Sequence, residues 1–424
     1  MTAQNTLSRR RLIGGTAATL ASVRAAFPYG AHAQGAGPET TKARLGYIPL
    51  TDAAPLIIAK EQSLFAKYGM PDVEVLMQPS WPATRDNLIK GGEAGGTDGA
   101  HILTPMPYMM SAGKAGANIP AFPMLILARI NTNGQAISMS NAMKPIGTKL
   151  DAKVAAAALK GKKSKVAMTF RGGTHDLWMR YWLAAAGINP DTDVELIAVP
   201  PPKMVEQMRE GAMDAFCVGE PWGDQLIYQE LGYTACITGE IWKDHPEKSF
   251  AMSAAWVEKH PRAAEALTAA IIEAQMWCDK MDNKSAMSVF MGKRGWMKVP
   301  PSEILPRAEG HIDYGDGREV KNSPLLMKYF ADHASYPYQS HDLWFITEDI
   351  RWGVLPPDVD SKALIAAVNR EDVWRAAAAK AGVAAADMPK SKSRGKETFF
   401  DGHVFDPENP AEWLKGQPIK KMMG

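Results

Sequence analysis

The sequence predicts a two-lobed α/β protein followed by a helix-rich C-terminal part. Three observations carry this expectation. Short β-type runs alternate with helix-periodic runs between Ala43 and Gly113; the alternation restarts at Lys165 and continues to Val218; and Ala263–Lys280 then forms a long amphipathic stretch with Ala264, Leu267, Ile271 and Ala274 on one stripe. Strand followed by helix, repeated, implies mostly parallel sheets with covered faces.

In chain order, Ser8-Arg9-Arg10-Arg11-Leu12-Ile13 precedes a mildly apolar stretch that ends in Ala31-His32-Ala33. That is the pattern of a twin-arginine export signal, with cleavage expected after Ala33. Gly14, Gly15 and Arg24 make the stretch too polar to span a bilayer, so residues 1–33 read as a removable signal and the remainder as a soluble periplasmic chain. No cysteine lies near the cleavage point to carry a lipid.

Ala43–Leu50 reads as a strand, and Ala54, Ile57, Ile58, Leu64, Phe65 and Tyr68 recur at helical spacing until Gly69 closes the segment. Val73–Met77 is a second strand. Ser80 is a candidate N-cap for a helix through Ile89, stopped by Gly91-Gly92, and Pro105-Met106-Pro107 opens a short helix ending near Gly113. The second run comprises strand Lys165–Phe170, helix Thr174–Ala186, strand Val194–Val199, helix Lys203–Glu210 and strand Ala215–Val218. These readings place lobe I at residues 34–129 plus 246–424 and lobe II at 130–245. The basic stretch Lys390–Lys396 carries Ser391, Ser393 and Gly395 and reads as a solvated loop.

Composition narrows the function. Forty-eight Lys and Arg residues are dispersed among 46 Asp and Glu, for a formal charge of +2, so no basic face for nucleic acid is implied. Cys217, Cys236 and Cys278 are an odd number without metal-ligand spacing and read as buried thiols.

In open α/β sheets, ligands collect at the carboxyl ends of strands, where the next helix presents unpaired N–H groups and the positive end of its dipole. Trp81 stands in the first turn after one strand, His175 in the first turn after Phe170-Arg171-Gly172-Gly173-Thr174, and Gly219 directly after another strand. The glycines before His175 would let backbone approach a ligand. Gln135 sits in a polar island, Asn131-Thr132-Asn133-Gly134-Gln135, and Lys248 in His245-Pro246-Glu247-Lys248-Ser249. Each has an ordinary alternative: a packed indole, a plain helix start, a tight turn, a solvated crossover, a solvated loop lysine. Together the five suit a pocket for a small anion.

At these residues the chain resembles the nitrate/bicarbonate branch of the periplasmic substrate-binding proteins that feed ABC transporters. The resemblance rests on Leu45-Gly46-Tyr47-Ile48-Pro49-Leu50-Thr51-Asp52, Ser80-Trp81, Arg85-Asp86-Asn87, Asp98-Gly99-Ala100-His101, Met106-Pro107 and Asn133-Gly134-Gln135. It continues through Gly173-Thr174-His175-Asp176, Val199-Pro200-Pro201-Pro202, Val218-Gly219-Glu220-Pro221-Trp222, His245-Pro246-Glu247-Lys248, Asp401-Gly402 and Phe405-Asp406-Pro407. It spans nearly the whole mature chain.

The resemblance implies a two-lobed periplasmic binding protein of the Venus-flytrap, type II-like kind, with mixed sheets. It implies nitrate or nitrite in the interdomain cleft, held by Trp81, Gln135, His175, Gly219 and Lys248, without metal or other cofactor. It also implies a monomer that delivers its anion to an ABC permease and its ATPase subunit. Closure would bend the chain near Leu125–Ile130 and Phe250–Trp256. Bicarbonate-binding relatives resemble this chain but have a carboxylate at the place of Lys248 that helps hold calcium, so a lysine there implies nitrate. A bicarbonate-binding protein and a nitrate sensor are the alternatives within the family; a sensor should lack an export signal. A binding protein for another ligand, such as an alkylsulfonate or a thiamine precursor, would share the fold but should not reproduce the whole set of pocket contexts; an enzyme built on His175, Asp176 and Cys217 is the third class, and no nucleophile–base motif supports it.

Overall fold

The computed structural model describes residues 37–146 and 152–421, so the export-signal reading lies outside the described residues. Among them, ten strands form two five-stranded sheets. These are β1 (Lys42–Tyr47), β2 (Asp72–Met77), β3 (Gly99–Leu103), β4 (Met124–Arg129), β5 (Gln135–Ser140), β6 (Lys165–Met168), β7 (Glu195–Ala198), β8 (Ala215–Gly219), β9 (Gly232–Ile237) and β10 (Lys248–Ser253). The first sheet has the order β2-β1-β3-β10-β4, the second β7-β6-β8-β5-β9.

The two sheets share one design. β1 is parallel to β2 and β3, whereas β10 runs antiparallel to β3 and β4. β6 is likewise parallel to β7 and β8, and β5 runs antiparallel to β8 and β9. The sheets are therefore mixed, and the strand–helix alternation overstated the parallel pairing. The alternation identifies β1 and β2 of the first sheet and β6, β7 and β8 of the second, but the antiparallel returns β5 and β10 arrive from the opposite sheet's chain segment, which local periodicity does not reveal.

Helix α1 (Ala54–Glu61) stops where the sequence suggested it would continue, because Ser63 takes a left-handed conformation (φ 57°) before a separate turn at Leu64–Lys67. Helix α2 (Trp81–Lys90) begins as expected: the Ser80 hydroxyl accepts a hydrogen bond from the Ala83 N–H at 3.2 Å, and Pro82 fits the first turn, where no intrahelical donor is needed. Three longer helices surround the sheets: α3 (Thr174–Ala185), α4 (Pro261–Asp279) and α5 (Gln339–Arg351).

The chain passes from one sheet to the other twice, at residues 130–134 and 238–247, and the two crossings meet at a Thr132–Pro246 bridge. Of the expected hinge segments Leu125–Ile130 and Phe250–Trp256, Leu125–Arg129 lies in β4 and Phe250–Ser253 in β10, paired to each other across the first sheet.

The C-terminal part packs on both sheets. Trp344 of α5 stacks on Trp178 of α3 at 5.0 Å between ring centroids, and Trp242 lies 5.2 Å from Trp344. On the other side, Asp342 of α5 forms a fully buried ion pair with Arg129 at the end of β4, and Asn369 donates to the second carboxylate oxygen at 2.8 Å. The loop at Arg394 is anchored, not free: its guanidinium binds Glu397 and the Asp244 carbonyl. Cys217 and Cys278 are buried and Cys236 half-buried, all three as free thiols.

Candidate functional site

The five residues singled out in the sequence meet at one edge of the two sheets. Parallel strands contribute their last residues and the helix starts beyond them, and antiparallel strands contribute their first residues, which places every contribution at the carboxyl ends of the parallel strands. Trp81 opens α2 after β2, and His175 lies in the first turn of α3 after β6. Gly219 ends β8 directly opposite Gln135, which begins β5, and Lys248 begins β10 opposite Leu103. Trp81, His175 and Lys248 have no exposed surface, and Gln135 has 1 %.

Lys248 is thus no solvated loop lysine. Its ammonium donates to Asp52 Oδ2 at 2.8 Å and to Glu247 Oε2, and it stands 5.4 Å from the centre of the Trp81 ring. His101 donates through Nε2 to Asp52 Oδ1 at 2.6 Å, and its ring lies 5.8 Å from that of Trp81. On the opposite side the Thr174 hydroxyl donates to Glu247 Oε1 at 2.7 Å, and His175 Nε2 lies 3.6 Å from the same oxygen. The arrangement is a buried chain of charge, His101–Asp52–Lys248–Glu247, with α3 closing one end.

Five side-chain polar atoms here have no hydrogen-bond partner in the protein: Trp81 Nε1, His101 Nδ1, both amide atoms of Gln135, and His175 Nε2. The last is not short of positioning, since Nδ1 of the same ring lies 2.6 Å from the Thr169 hydroxyl. Buried groups of this kind usually have a hydrogen-bond partner, and an unpaired one costs about 1–3 kcal/mol.

Burial dominates the acid–base behaviour. It pushes the Glu247 carboxyl up to about 8, against the attraction of Lys248 and reinforced by Asp52. Asp52 is equally buried, but Lys248 and His101 outweigh that burial and hold it well below the usual carboxylate range. Burial lowers His101 despite Asp52, and lowers His175 further still, with Lys248 adding to the effect.

Gly219 is a glycine for space, because a β-carbon there would stand 3.1 Å from Asp52 Oδ2. The glycines before His175 answer to packing. Gly172 has φ +73°, and a β-carbon at Gly173 would fall 2.6 Å from Leu103 Cδ1. A cleft adjoins the site at Gln135, lined also by Thr51, Glu220, Lys284, Arg307 and Tyr329.

Sequence reasoning missed Asp52, His101, Glu247 and the two threonines. Asp52 and His101 carried a signal, each being the one ionisable group in an apolar run, Ile48–Ile58 and Gly99–Leu103. The imagined catalytic group does not assemble. Asp176 accepts from Gly172 N–H and Arg180 Nε, both at 2.8 Å, and burial pushes the Cys217 thiol well above its ordinary range.

Known proteins share both the sequence and the architecture. The NMT1-like family matches residues 36–291. The nitrate/nitrite binding protein NrtA of Nostoc sp. is 57% identical over 389 residues, covering 91% of this chain and 87% of that one. The bicarbonate-binding protein CmpA of Synechococcus elongatus is 43% identical over 397 residues, covering 90% and 88%. The crystal structure of the periplasmic nitrate-binding protein NrtA from Synechocystis PCC 6803 superimposes with a TM-score of 0.87 at 53% identity, over 91% of this chain and all of that one. The chain belongs to the NMT1-like family, in the branch that contains the NrtA and CmpA proteins.

Proposed function

We propose that the mature chain is the solute-binding component of an ABC importer, holding nitrate or nitrite where the two sheets meet. Trp81, Gln135, His175, Gly219 and Lys248 are its anion contacts. Lobe I (34–129 with 246–424) supplies Trp81 and Lys248, and lobe II (130–245) the other three. The protein works in the periplasm after twin-arginine export, as a monomer that hands its anion to a membrane permease and ATPase. It is a binding protein, not an enzyme.

The observation that carries this reading is the set of unpartnered polar atoms around a buried lysine, in a chain so similar to NrtA. Nitrate is flat, singly charged and weakly hydrated. It suits an indole edge, an amide and an imidazole N–H around its oxygens, with the lysine beside it. A Thr169 hydroxyl donated to His175 Nδ1 leaves the ring hydrogen on Nε2, the donor such an anion needs. The similarity to CmpA keeps bicarbonate as the second reading. Against it, the Lys248 ammonium lies between Asp52 and Glu247, where a calcium ion would have to compete with it.

Trp81→Phe tests the site directly. Nε1 has no hydrogen-bond partner in the protein, so the substitution breaks no internal hydrogen bond. If it donates to the anion, nitrate affinity falls about five- to thirtyfold, the equivalent of roughly 1–2 kcal/mol. Unchanged affinity in a folded variant would remove Trp81 from the site.

A further inference from the structure

The buried chain of charge is unbalanced in a way that bears on how any anion enters. Lys248 bonds two carboxylates, Asp52 and Glu247, and all three side chains have no exposed surface. The other titratable groups facing Glu247 are His175 on α3, at 3.6 Å, His101 on β3 through Asp52, and Cys217 on β8. An anion added to two carboxylates and one ammonium would place three negative charges against one positive in a site closed to water. Uncompensated buried charge is strongly unfavourable, and such groups bind or release protons instead.

We propose that the site holds its anion only together with one proton on Glu247, a proton taken up with the anion wherever the free protein lacks it. The inference rests on the anion-binding reading above. The proton comes from solvent and ends on a Glu247 carboxylate oxygen, with no other bond made or broken. Glu247 is better placed for this than Asp52. Both oxygens of Asp52 are held by cationic or N–H donors, Lys248 and His101, whereas Glu247 Oε1 meets only a hydroxyl and the ring edge of His175. The Thr174 hydroxyl can turn from donor to acceptor and receive the acid's O–H. Protonated Glu247 would still accept from Lys248 through Oε2 while leaving the net charge of the site fit for a monoanion.

The sign of the pH dependence is set by linkage. Without anion, burial already pushes Glu247 up to about 8. A bound anion raises it further, so the complex holds more protons than the free protein above that pH. Affinity is therefore complete below about pH 8 and falls as pH rises through it, at about tenfold per pH unit.

The test is calorimetric titration of the mature protein with potassium nitrate from about pH 6.5 to 9.5, repeated near pH 9 in two buffers of different ionisation enthalpy. The expected result is an uptake approaching one proton per nitrate near pH 9 and a weakening of about tenfold between pH 8.5 and 9.5. Glu247→Gln cannot take up the proton, so whatever nitrate binding it retains should show neither effect. Wild-type binding that is flat with pH and takes up no proton overturns the inference, even if the variant does not fold. So does proton uptake that persists in Glu247→Gln. Failure to bind nitrate at any pH overturns the ligand assignment itself, and this inference with it.

Discussion

Lys248→Glu is expected to abolish nitrate binding. The substitution removes the single ammonium that bridges Asp52 and Glu247 and sets a third carboxylate beside them, with no exposed surface to dilute the repulsion. Losing a buried ionic partner costs about 2–5 kcal/mol, a drop in affinity of roughly thirtyfold to several thousandfold. Because three buried acids also weaken the fold, Lys248→Gln serves as the companion variant. It removes the charge but adds no carboxylate and keeps N–H donors, and it should lose most of the same affinity while its circular dichroism stays that of the parent. Nitrate affinity within a few-fold of the parent in either folded variant would show that Lys248 serves the protein's own carboxylates and not the anion.

The second large effect is expected at Asp342, which is not among the proposed anion contacts. Its carboxylate accepts from Arg129 and Asn369 in a region with essentially no exposure, and it ties α5 to the end of β4. Asp342→Ala leaves the Arg129 guanidinium with only the Ser249 hydroxyl, at 2.7 Å, among its side-chain partners. A buried charge stripped of its partner costs about 3–5 kcal/mol of stability. Urea denaturation should show that loss, whereas nitrate affinity measured well below the transition should be unchanged. A loss of under about 1 kcal/mol would mean that the ion pair contributes little to docking of the C-terminal part.

Much of this architecture was legible in the sequence, for identifiable reasons. Ser80 followed by Trp81-Pro82 marked the start of α2, because a hydroxyl cap and a proline in the first turn both satisfy the demands of a helix N-terminus. The strands β1, β2, β6, β7 and β8 were visible as apolar runs bounded by glycine or polar residues. The pairing of β5 and β10 was not, since a strand that returns from another part of the chain leaves no local trace of its neighbour. The break at Ser63 was hidden too, because the apolar spacing continues through it while the backbone does not.

The site shows the same division. Trp81, His175 and Gly219 stand at strand-to-helix edges that periodicity can locate. Lys248 alone reads as a solvated loop lysine, and only the fold reveals that it begins a fully buried strand, with the buried Glu247 just before it. What decides their chemistry is the approach of Asp52, 196 residues away from Lys248 in sequence. No spacing rule encodes that meeting; it exists because β1 and β10 both flank β3.

The most direct measurement is isothermal titration of the ligand-stripped mature protein with nitrate, nitrite, and bicarbonate with and without calcium. Saturable, micromolar or tighter binding of nitrate, with bicarbonate silent whether or not calcium is present, is the expected result. Calcium-dependent binding of bicarbonate together with silence toward nitrate would contradict the account.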